Sequence, residues 1–407
     1  MFKDLMPILS TLRRHKIAAG LIVLEVALTC AIVTNALHLI QTRVEALSTD
    51  SGLAESELVV LNLRGSKPVP PERTAGIVAG DLARLRTLPG VKAATVANQI
   101  VYGNNSNNSY VTLEPDNKGL RVVAAQYTAD NHMLPAFGLK LMAGRNFQPD
   151  EVQDNFKVFA VPEPRVGQVI VNQIMADKLF PGRSAVGRSV YVFGAPTTIV
   201  GVVQTLTHTQ LHRARGGDND GAAMIFPLLG GGSYVLRTEP GQRDAVIKAA
   251  TAALESTDRG RVVTQARPLT QMRNEFYAQD RAMAWLMGGV CVLLLLVTAM
   301  GIVGLASFWV QQRTRMIGTR RALGATERQI RRYFQLENLL LTSAGIVIGT
   351  AGAVALSQLL MQSYALPRLP WAYLPAGALA LWLLGQSAVW VPARRAARLS
   401  PVAALRS

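Results

Sequence analysis

The stretch RTRMIGTRRALGATERQIRRYF, residues 313–334, determines how the rest of the sequence is interpreted. It holds seven arginines and one acidic residue, Glu327, and it connects two long apolar runs. Positive charge beside an apolar run is typical of the aqueous flank of a membrane helix, but a basic segment can also bind nucleic acid or anionic lipid. The distribution of charge along the remaining sequence distinguishes these possibilities.

The positive charge is concentrated beside apolar segments. The 407 residues carry a formal net charge of +16. Residues 1–16, 313–334 and 393–407 together hold 15 basic and two acidic residues, whereas all other residues include 27 basic and 24 acidic ones. No DNA-binding motif accompanies the arginines, so nucleic acid is not an expected partner. The pattern favours basic flanks of membrane-spanning helices.

Four stretches are long and apolar enough to cross a bilayer, which takes about 20 residues in a helix. They are residues 17–40, 284–310, 336–361 and 372–391. The first follows basic residues, as a signal peptide does, but its apolar run is longer and no small-residue cleavage site follows, so we interpret it as an uncleaved anchor. Basic flanks stay in the cytoplasm. Residues 1–16, 311–334 and 392–407 are therefore expected inside, and residues 41–281 and 362–371 outside.

Polar residues inside these spans are candidates for functional contacts, because ionisable groups are costly in a bilayer. Glu25 and Asn35 lie in the first span, and Glu337 lies just inside the third. We expect Glu337 to pair with Arg13, Arg331 or Arg332, and Glu25 to join a subunit contact or a polar seam between helices.

Glycines in the spans predict close helix packing, because small residues let helix backbones approach each other. Gly345 and Gly349 form a GxxxG pattern in the third span, with Gly352 beyond it. Gly301 and Gly304 suggest a similar contact in the second span.

The connector carries signals for two helices separated by a turn. Gly324 follows RRAL and suits the position just after a helix. Thr326 and Gln329 match a capping box, so a second helix is expected to begin at Thr326. An apolar stripe is expected along Met316, Leu323, Ile330 and Phe334. The connector is then either an interfacial hairpin on anionic lipid or a docking element for a cytoplasmic protein.

The outer region is predicted to be a mixed α/β domain. Five strand-like runs are expected at residues 57–63, 121–127, 168–174, 197–203 and 233–238, with a further helix end, turn and strand at residues 88–96. Helices are expected at residues 71–87 and 241–256. The amide-rich run NNSNNS at residues 104–109 is predicted to be an exposed loop.

No catalytic or metal-binding constellation is predicted in the outer region. His208 and His212, with Asp218 and Asp220 nearby, have two histidines four residues apart but lack a third histidine or cysteine. That set is too small to predict a zinc site, and no bound cofactor is expected.

Three parts of the sequence resemble FtsX/MacB-like permeases of ABC transporters. Residues 313–349 resemble the pattern R-T-x-E-I-G-x-R-x-A-L-G-A that precedes the third span of that family, and PARRAARLSPVAALR resembles its C-terminal pattern. GLKLMAGRNF at residues 138–147 and VIVNQIMADKLFPGRSAVGRSV at residues 169–190 resemble its periplasmic domain. The resemblance covers nearly the whole sequence in the expected order.

The resemblance implies a membrane protein of the bacterial inner membrane, with four transmembrane α-helices and a large mixed α/β periplasmic domain between the first and second. That domain would consist of a porter-like split β-α-β lobe with a second lobe inserted at about residues 127–220, and with stalk helices at both ends. Efflux through mechanotransmission is the implied activity, with no enzymatic step on this chain.

The connector is implied to contact an ABC ATPase in the cytoplasm. The residues expected at that contact are Arg313, Arg315, Arg320, Arg321, Leu323, Gly324 and Glu327. Met316 stands where the family has glutamate, which implies either weaker coupling in a heteromeric pair or neutral change.

The ATPase is expected on a separate chain. A Walker A loop needs a lysine directly after a glycine, and none of the nine lysines satisfies this condition. ATP and Mg²⁺ would therefore be bound by the partner ATPase. A second permease copy or paralogue, a periplasmic adaptor and an outer-membrane channel are further implied partners. An FtsX-like signalling or scaffold subunit and a lipoprotein-release permease remain alternatives.

Overall fold

The fold was analysed in a computed structural model of the protein. The structure describes Ile8, Leu12 and residues 16–66, 68–115, 119–207, 221–257, 260–364 and 369–398. Most of residues 1–16, the group formed by His208, His212, Asp218 and Asp220, and the tail beyond Arg398 lie outside the described residues. The chain divides into a membrane unit, Met1–Glu45 with Asp280–Ser407, and an outer unit, Ala46–Gln279.

The described residues form eleven α-helices and twelve strands, numbered in chain order. The helices are α1 (Lys16–Leu47), α2 (Pro71–Arg86), α3 (Met133–Phe137), α4 (Asn155–Phe159), α5 (Gln173–Leu179), α6 (Arg243–Glu255), α7 (Leu269–Phe276), α8 (Ala278–Gln312), α9 (Thr314–Ala322), α10 (Glu327–Tyr364) and α11 (Tyr373–Ala397). The strands are β1 (Leu58–Gly65), β2 (Val91–Ala97), β3 (Asn108–Thr112), β4 (Arg121–Ala129), β5 (Leu141–Gly144), β6 (Gln153–Asp154), β7 (Gln168–Asn172), β8 (Ser189–Val192), β9 (Ala195–Val203), β10 (Ala223–Leu229), β11 (Ser233–Thr238) and β12 (Arg261–Pro268).

The first lobe of the outer unit is a four-stranded sheet covered by two helices. Its strand order is β12-β1-β11-β2, with every neighbouring pair antiparallel. Helix α2 connects β1 to β2, and α6 connects β11 to β12. Alternate residues of β1, such as Val59 and Leu61, pack against Leu82 of α2 and Val246 of α6. This arrangement is the split β-α-β lobe that the resemblance implies.

The second lobe is a closed ring of strands inserted between β2 and β11. The ring runs β4-β3-β8-β9-β7-β10, and β10 pairs back with β4, while β5 and β6 add to its rim. Along β10, Met224 and Phe226 fill the core of this lobe. The predicted limits of the inserted lobe, residues 127–220, are too narrow, because ring strands extend from Asn108 to Leu229. The ring closes because β4 pairs with both β3 and β10 in the tertiary structure, and no local sequence feature marks these strands as the limits of the lobe.

An ion-paired turn links three strands of the first lobe. Arg237 of β11 donates from Nε to Glu57 Oε2 at 2.6 Å, and Lys92 Nζ lies 3.5 Å from the same oxygen. The hydrogen bond from Arg237, with the charges of Arg237 and Lys92, lowers the pKa of Glu57 below its ordinary 4.5. A carboxylate with a lowered pKa stabilises the fold above its ordinary pKa, and this contribution is lost as the pH falls through the folded-state pKa.

We expect Glu57→Gln to lower the unfolding midpoint of the full chain at pH 7 by more than at pH 3.5. Below the ordinary pKa the carboxyl of the unfolded chain takes up a proton, so the charge contribution shrinks and the two proteins should converge. Thermal unfolding of both proteins at the two pH values measures the effect. An equal loss at both pH values would show that the pair contributes through packing rather than charge.

Four helices are long and apolar enough to cross a membrane: α1, α8, α10 and α11. Their shared core contains Val26, Ile302, Ile346 and Leu381, one residue from each helix. The predicted four-helix membrane part and the predicted α/β outer domain are therefore both present. Five predicted strands, at 57–63, 121–127, 168–174, 197–203 and 233–238, and both predicted helices overlap those in the structure.

Close contact between α1 and α10 occurs at the GxxxG glycines. A Cβ atom on Gly345 would lie 2.7 Å from Val26 Cβ, and one on Gly349 would lie 2.5 Å from Cys30 Cβ. A Cβ on Gly352 would meet only an ordinary contact of 3.6 Å, with Ala31. The glycine pair therefore sets the distance between the two helices.

Helix α8 contacts α1 through Gly301 and a polar pair. The Glu25 carboxylate lies directly over Gly301, and the hydroxyl groups of Thr29 and Thr298 are 2.7 Å apart. These contacts make a polar seam within one chain, as anticipated for Glu25. The packing suggested at Gly304 is not found within this chain, because apart from its own helical turn no described atom lies within 4 Å of a Cβ built there.

Asn35 connects α1 to α10. Its side-chain amide donates to the Ala353 carbonyl at 3.0 Å and to the Ala31 carbonyl at 2.9 Å. In an apolar environment this satisfies both amide hydrogens, which explains how a polar residue is accommodated within the first span.

Candidate functional site: the helical connector

The connector is a helix–turn–helix with sharply defined ends. Helix α9 ends at Ala322, Gly324 adopts φ +94°, and α10 begins at Glu327. Thr326 donates its backbone N–H to Gln329 Oε1 at 2.9 Å, and the Gln329 N–H donates to Thr326 Oγ1 at 3.3 Å. The predicted helix end, turn and capping box are confirmed.

A buried ion pair joins the start of α9 to α10. Arg313 donates from one terminal nitrogen to both carboxylate oxygens of Glu337, at 2.9 and 2.8 Å. The two side chains are only 7% and 2% exposed. The guanidinium also lies 5.4 Å from the Trp309 ring centroid, so the cation has a second electrostatic partner. The pair therefore attaches the bend between α8 and α9 to α10.

This geometry corrects two predictions. Glu337 pairs with Arg313, which was not among its predicted partners, and of those partners Arg13 lies outside the described residues. The partner lies 24 residues away on another helix, so only tertiary packing brings the two charges together. Because its guanidinium is buried, Arg313 does not belong to the exposed contact surface on which it was predicted.

The apolar side of the connector packs onto the end of α11. Ile317, Ile330 and Phe334 are buried in one cluster with Ala393 and Ala396. The predicted stripe is wrong at Leu323, whose side chain is 84% exposed. A seven-residue repeat continues on one face only while the helix continues, and the chain turns at Leu323 and Gly324. The stripe therefore ends where α9 ends.

The opposite surface presents Leu323 with basic groups beside it. Arg315 is exposed, and Arg320 places its guanidinium 4.9 Å from the Tyr333 ring centroid. Arg321 is half-buried with its guanidinium 3.9 Å from the exposed carboxylate of Glu327. An exposed leucine on a rigid turn with cations around it has the chemistry of a protein-docking surface. It offers no nucleophile or acid–base pair for catalysis.

A buried asparagine next to Glu337 also supports the connector, although the sequence gives no strong indication of this role. Asn338, next to Glu337, donates to the Gly385 carbonyl of α11 at 2.9 Å and is buried. Its hydrogen bond ties α10 to α11 one residue from the ion pair. In the sequence, the only indication of this role is that Asn338 is a polar residue next to Glu337, a predicted functional acid. In the part of the chain that the structure describes, no group of three histidine, cysteine or acidic residues could hold a metal ion.

Comparisons with known proteins agree with this architecture. The model of the MacB-like periplasmic core domain matches residues 20–265, and the model of the FtsX-like permease C-terminal region matches residues 288–401. Along the chain, the first match covers most of the first span and the outer domain, and the second covers most of the second span, the connector and the last two spans.

The individual relatives have low sequence identity to this chain. The macrolide export ATP-binding/permease protein MacB of Chromobacterium violaceum is 28% identical over 66% of this chain and 41% of its own length. The uncharacterized ABC transporter permease YvrN of Bacillus subtilis is 24% identical over 69% of each chain. The chain thus spans less than half of that MacB protein but over two thirds of YvrN.

Among solved structures, the periplasmic region of MacB from Actinobacillus actinomycetemcomitans aligns with 57% of this chain and 97% of its own, at 14% identity and a TM-score of 0.35. At this TM-score the structural similarity supports no family assignment, so the assignment rests on the two family-model matches. On those two matches, the chain belongs to the FtsX/MacB-like family of ABC transporter permeases.

Proposed function

We propose that this protein is the permease subunit of a MacB-like ABC transporter, and that it transmits movements of an ATPase on a separate chain to its outer domain. The ATPase would bind ATP and Mg²⁺ and would dock on the connector. The protein would lie in the bacterial inner membrane with both termini in the cytoplasm. Its work would be the efflux of a substrate. The basic flanks of the spans support this orientation.

The observation that carries the proposal is the exposed Leu323 at the apex of a rigid connector. A leucine that is 84% exposed packs little against the described residues of its own chain. The turn that presents it is fixed by the left-handed Gly324 and by the capping box at Thr326. An exposed apolar side chain ringed by polar groups matches the apolar core and polar rim of a protein interface.

The helices supply a means of transmission. Helix α10 runs from the connector for 38 residues, and α8 runs for 35 residues from Ala278 to the connector. A helix of 35 residues is about 50 Å long, so displacement at one end reaches the far side of a bilayer. The Arg313–Glu337 pair holds the connector to α10, so a push on the apex would move connector and span together as a rigid body.

Further partners follow from the same proposal. A second copy or a paralogue would complete the transporter, and a periplasmic adaptor with an outer-membrane channel would continue the export route. The relative from Chromobacterium violaceum is named for macrolide export and for ATP binding. The substrate class of this chain stays open in the proposal.

We expect Leu323→Asp to weaken association with the ATPase by about 30-fold, because burial of a leucine side chain contributes about 2 kcal/mol. The tagged full chain, purified from membranes of its native host, should carry Mg²⁺-dependent ATP hydrolysis that the variant loses. Leu120→Asp is the matched control, since Leu120 is 49% exposed in the outer unit. Full ATPase recovery with Leu323→Asp would refute the assignment of the apex.

A further inference from the structure

A group of exposed arginines surrounds one end of the paired helices α10 and α11. The group, here called the arginine collar, consists of Arg328 and Arg332 at the start of α10, and Arg394, Arg395 and Arg398 at the end of α11. All five side chains are exposed. The two helix ends are held together by the buried cluster that includes Ile330 and Ala393, so the five arginines lie at the same end of the helix pair.

The two helices that carry the arginine collar contain two acidic residues, Glu327 and Glu337. Glu327, the first residue of α10, lies 3.9 Å from Arg321, and Glu337 is the single acidic residue from residue 328 to residue 398. That carboxylate is buried and already paired with Arg313. None of the five collar side chains makes a hydrogen bond or an ion pair with any residue that the structure describes. The positive potential of the arginine collar is therefore available to a ligand.

An exposed apolar surface of α11 leads up to the arginine collar. Leu379, Leu383 and Trp390 are 57%, 64% and 44% exposed, and their spacing places them on one side of the helix with Arg394. The Arg394 guanidinium lies 5.3 Å from the Trp390 ring centroid. An exposed apolar stripe that ends in a tryptophan and an arginine is typical of a membrane helix at the level of the lipid headgroups.

We propose that the arginine collar binds the headgroup of an anionic phospholipid, and that a headgroup with two phosphates fits it best. Guanidinium groups bind phosphate oxygens in pairs, and the two helix ends provide cations for two phosphates. The apolar stripe would lie against the acyl chains while the collar holds the headgroup. An acidic protein would match the charge but would leave the stripe below Trp390 uncovered. This inference is independent of the ATPase partner.

The test uses the folded full chain in neutral detergent and native mass spectrometry. The probes are diphosphatidylglycerol, phosphatidylglycerol, phosphatidylcholine and inorganic pyrophosphate. We expect retained binding in the order diphosphatidylglycerol, phosphatidylglycerol, phosphatidylcholine, and no competition by pyrophosphate. Arg394→Gln with Arg395→Gln should weaken diphosphatidylglycerol binding by about 30-fold, at about fivefold for each arginine.

Two further variants make the result specific. Arg165→Gln with Arg183→Gln removes the same charge from exposed positions of the outer unit and should leave binding unchanged. Trp390→Leu keeps the apolar surface but removes the ring beneath Arg394, and should weaken binding two- to fivefold. Equal loss in the outer-unit variant, effective competition by pyrophosphate, or full binding without Arg394 and Arg395 would each overturn the proposal.

Discussion

Glu337→Ala is expected to destabilise the membrane unit by about 3–5 kcal/mol, because it leaves the Arg313 cation buried without its counter-ion. The pair is 7% and 2% exposed, and the second terminal nitrogen of Arg313 already lacks a hydrogen-bond partner among the described residues. Water therefore has little access to compensate the charge. Equilibrium unfolding of the full chain in mixed dodecyl sulfate micelles measures the loss.

Two variants distinguish charge from packing in this experiment. Glu327→Gln affects an exposed carboxylate 3.9 Å from Arg321 and should cost less than about 1 kcal/mol. Arg313→Met combined with Glu337→Leu removes both charges and should recover most of the stability, since an apolar pair of similar volume avoids the desolvation cost. The explanation fails if the double variant is as unstable as Glu337→Ala.

The same double variant separates stability from transmission. It should fold and still bind the ATPase, because the exposed apex at Leu323 is unchanged. If the ion pair serves mainly to make the connector and α10 move together, transport should fall while ATPase binding persists.

Gly349→Leu is expected to have the second-largest effect, a loss of about 3 kcal/mol through overpacking. A Cβ atom at Gly349 would lie 2.5 Å from Cys30 Cβ and 2.6 Å from the Ala27 carbonyl oxygen. These are atoms near the backbone of α1, which cannot rotate away as the end of a side chain can. Helices α1 and α10 would have to separate, which would also disturb the hydrogen bond from Asn35 to Ala353.

Gly304→Leu is the matched control for this substitution. Gly304 lies in another span, and apart from its own helical turn no described atom lies within 4 Å of a Cβ built on it. The same added side chain should therefore leave the unfolding free energy nearly unchanged. Similar losses for Gly349→Leu and Gly304→Leu would mean that glycine flexibility, rather than helix contact, is what matters at Gly349.

Local features of this protein were readable because their causes are local. The turn at Gly324 follows from a left-handed backbone that glycine adopts without strain, and the cap at Thr326 follows from a side chain three residues from its partner. Strands such as β9 and β11 were also located from their composition. The exposure of Leu323 was missed because a helix break cancels the repeat on which that prediction rested.

The sequence by itself determined the four membrane helices, their charged flanks, the connector's two helices and the α/β character of the outer region. These depend on apolar length, net charge and capping, all of which act over a few residues or one helix. Only the tertiary structure decided that Arg313 meets Glu337, that β4 and β10 close a ring, and that Gly349 but not Gly304 contacts a neighbouring helix. Those outcomes depend on which surfaces face each other after packing, and partners distant in sequence leave no periodic signal to show it.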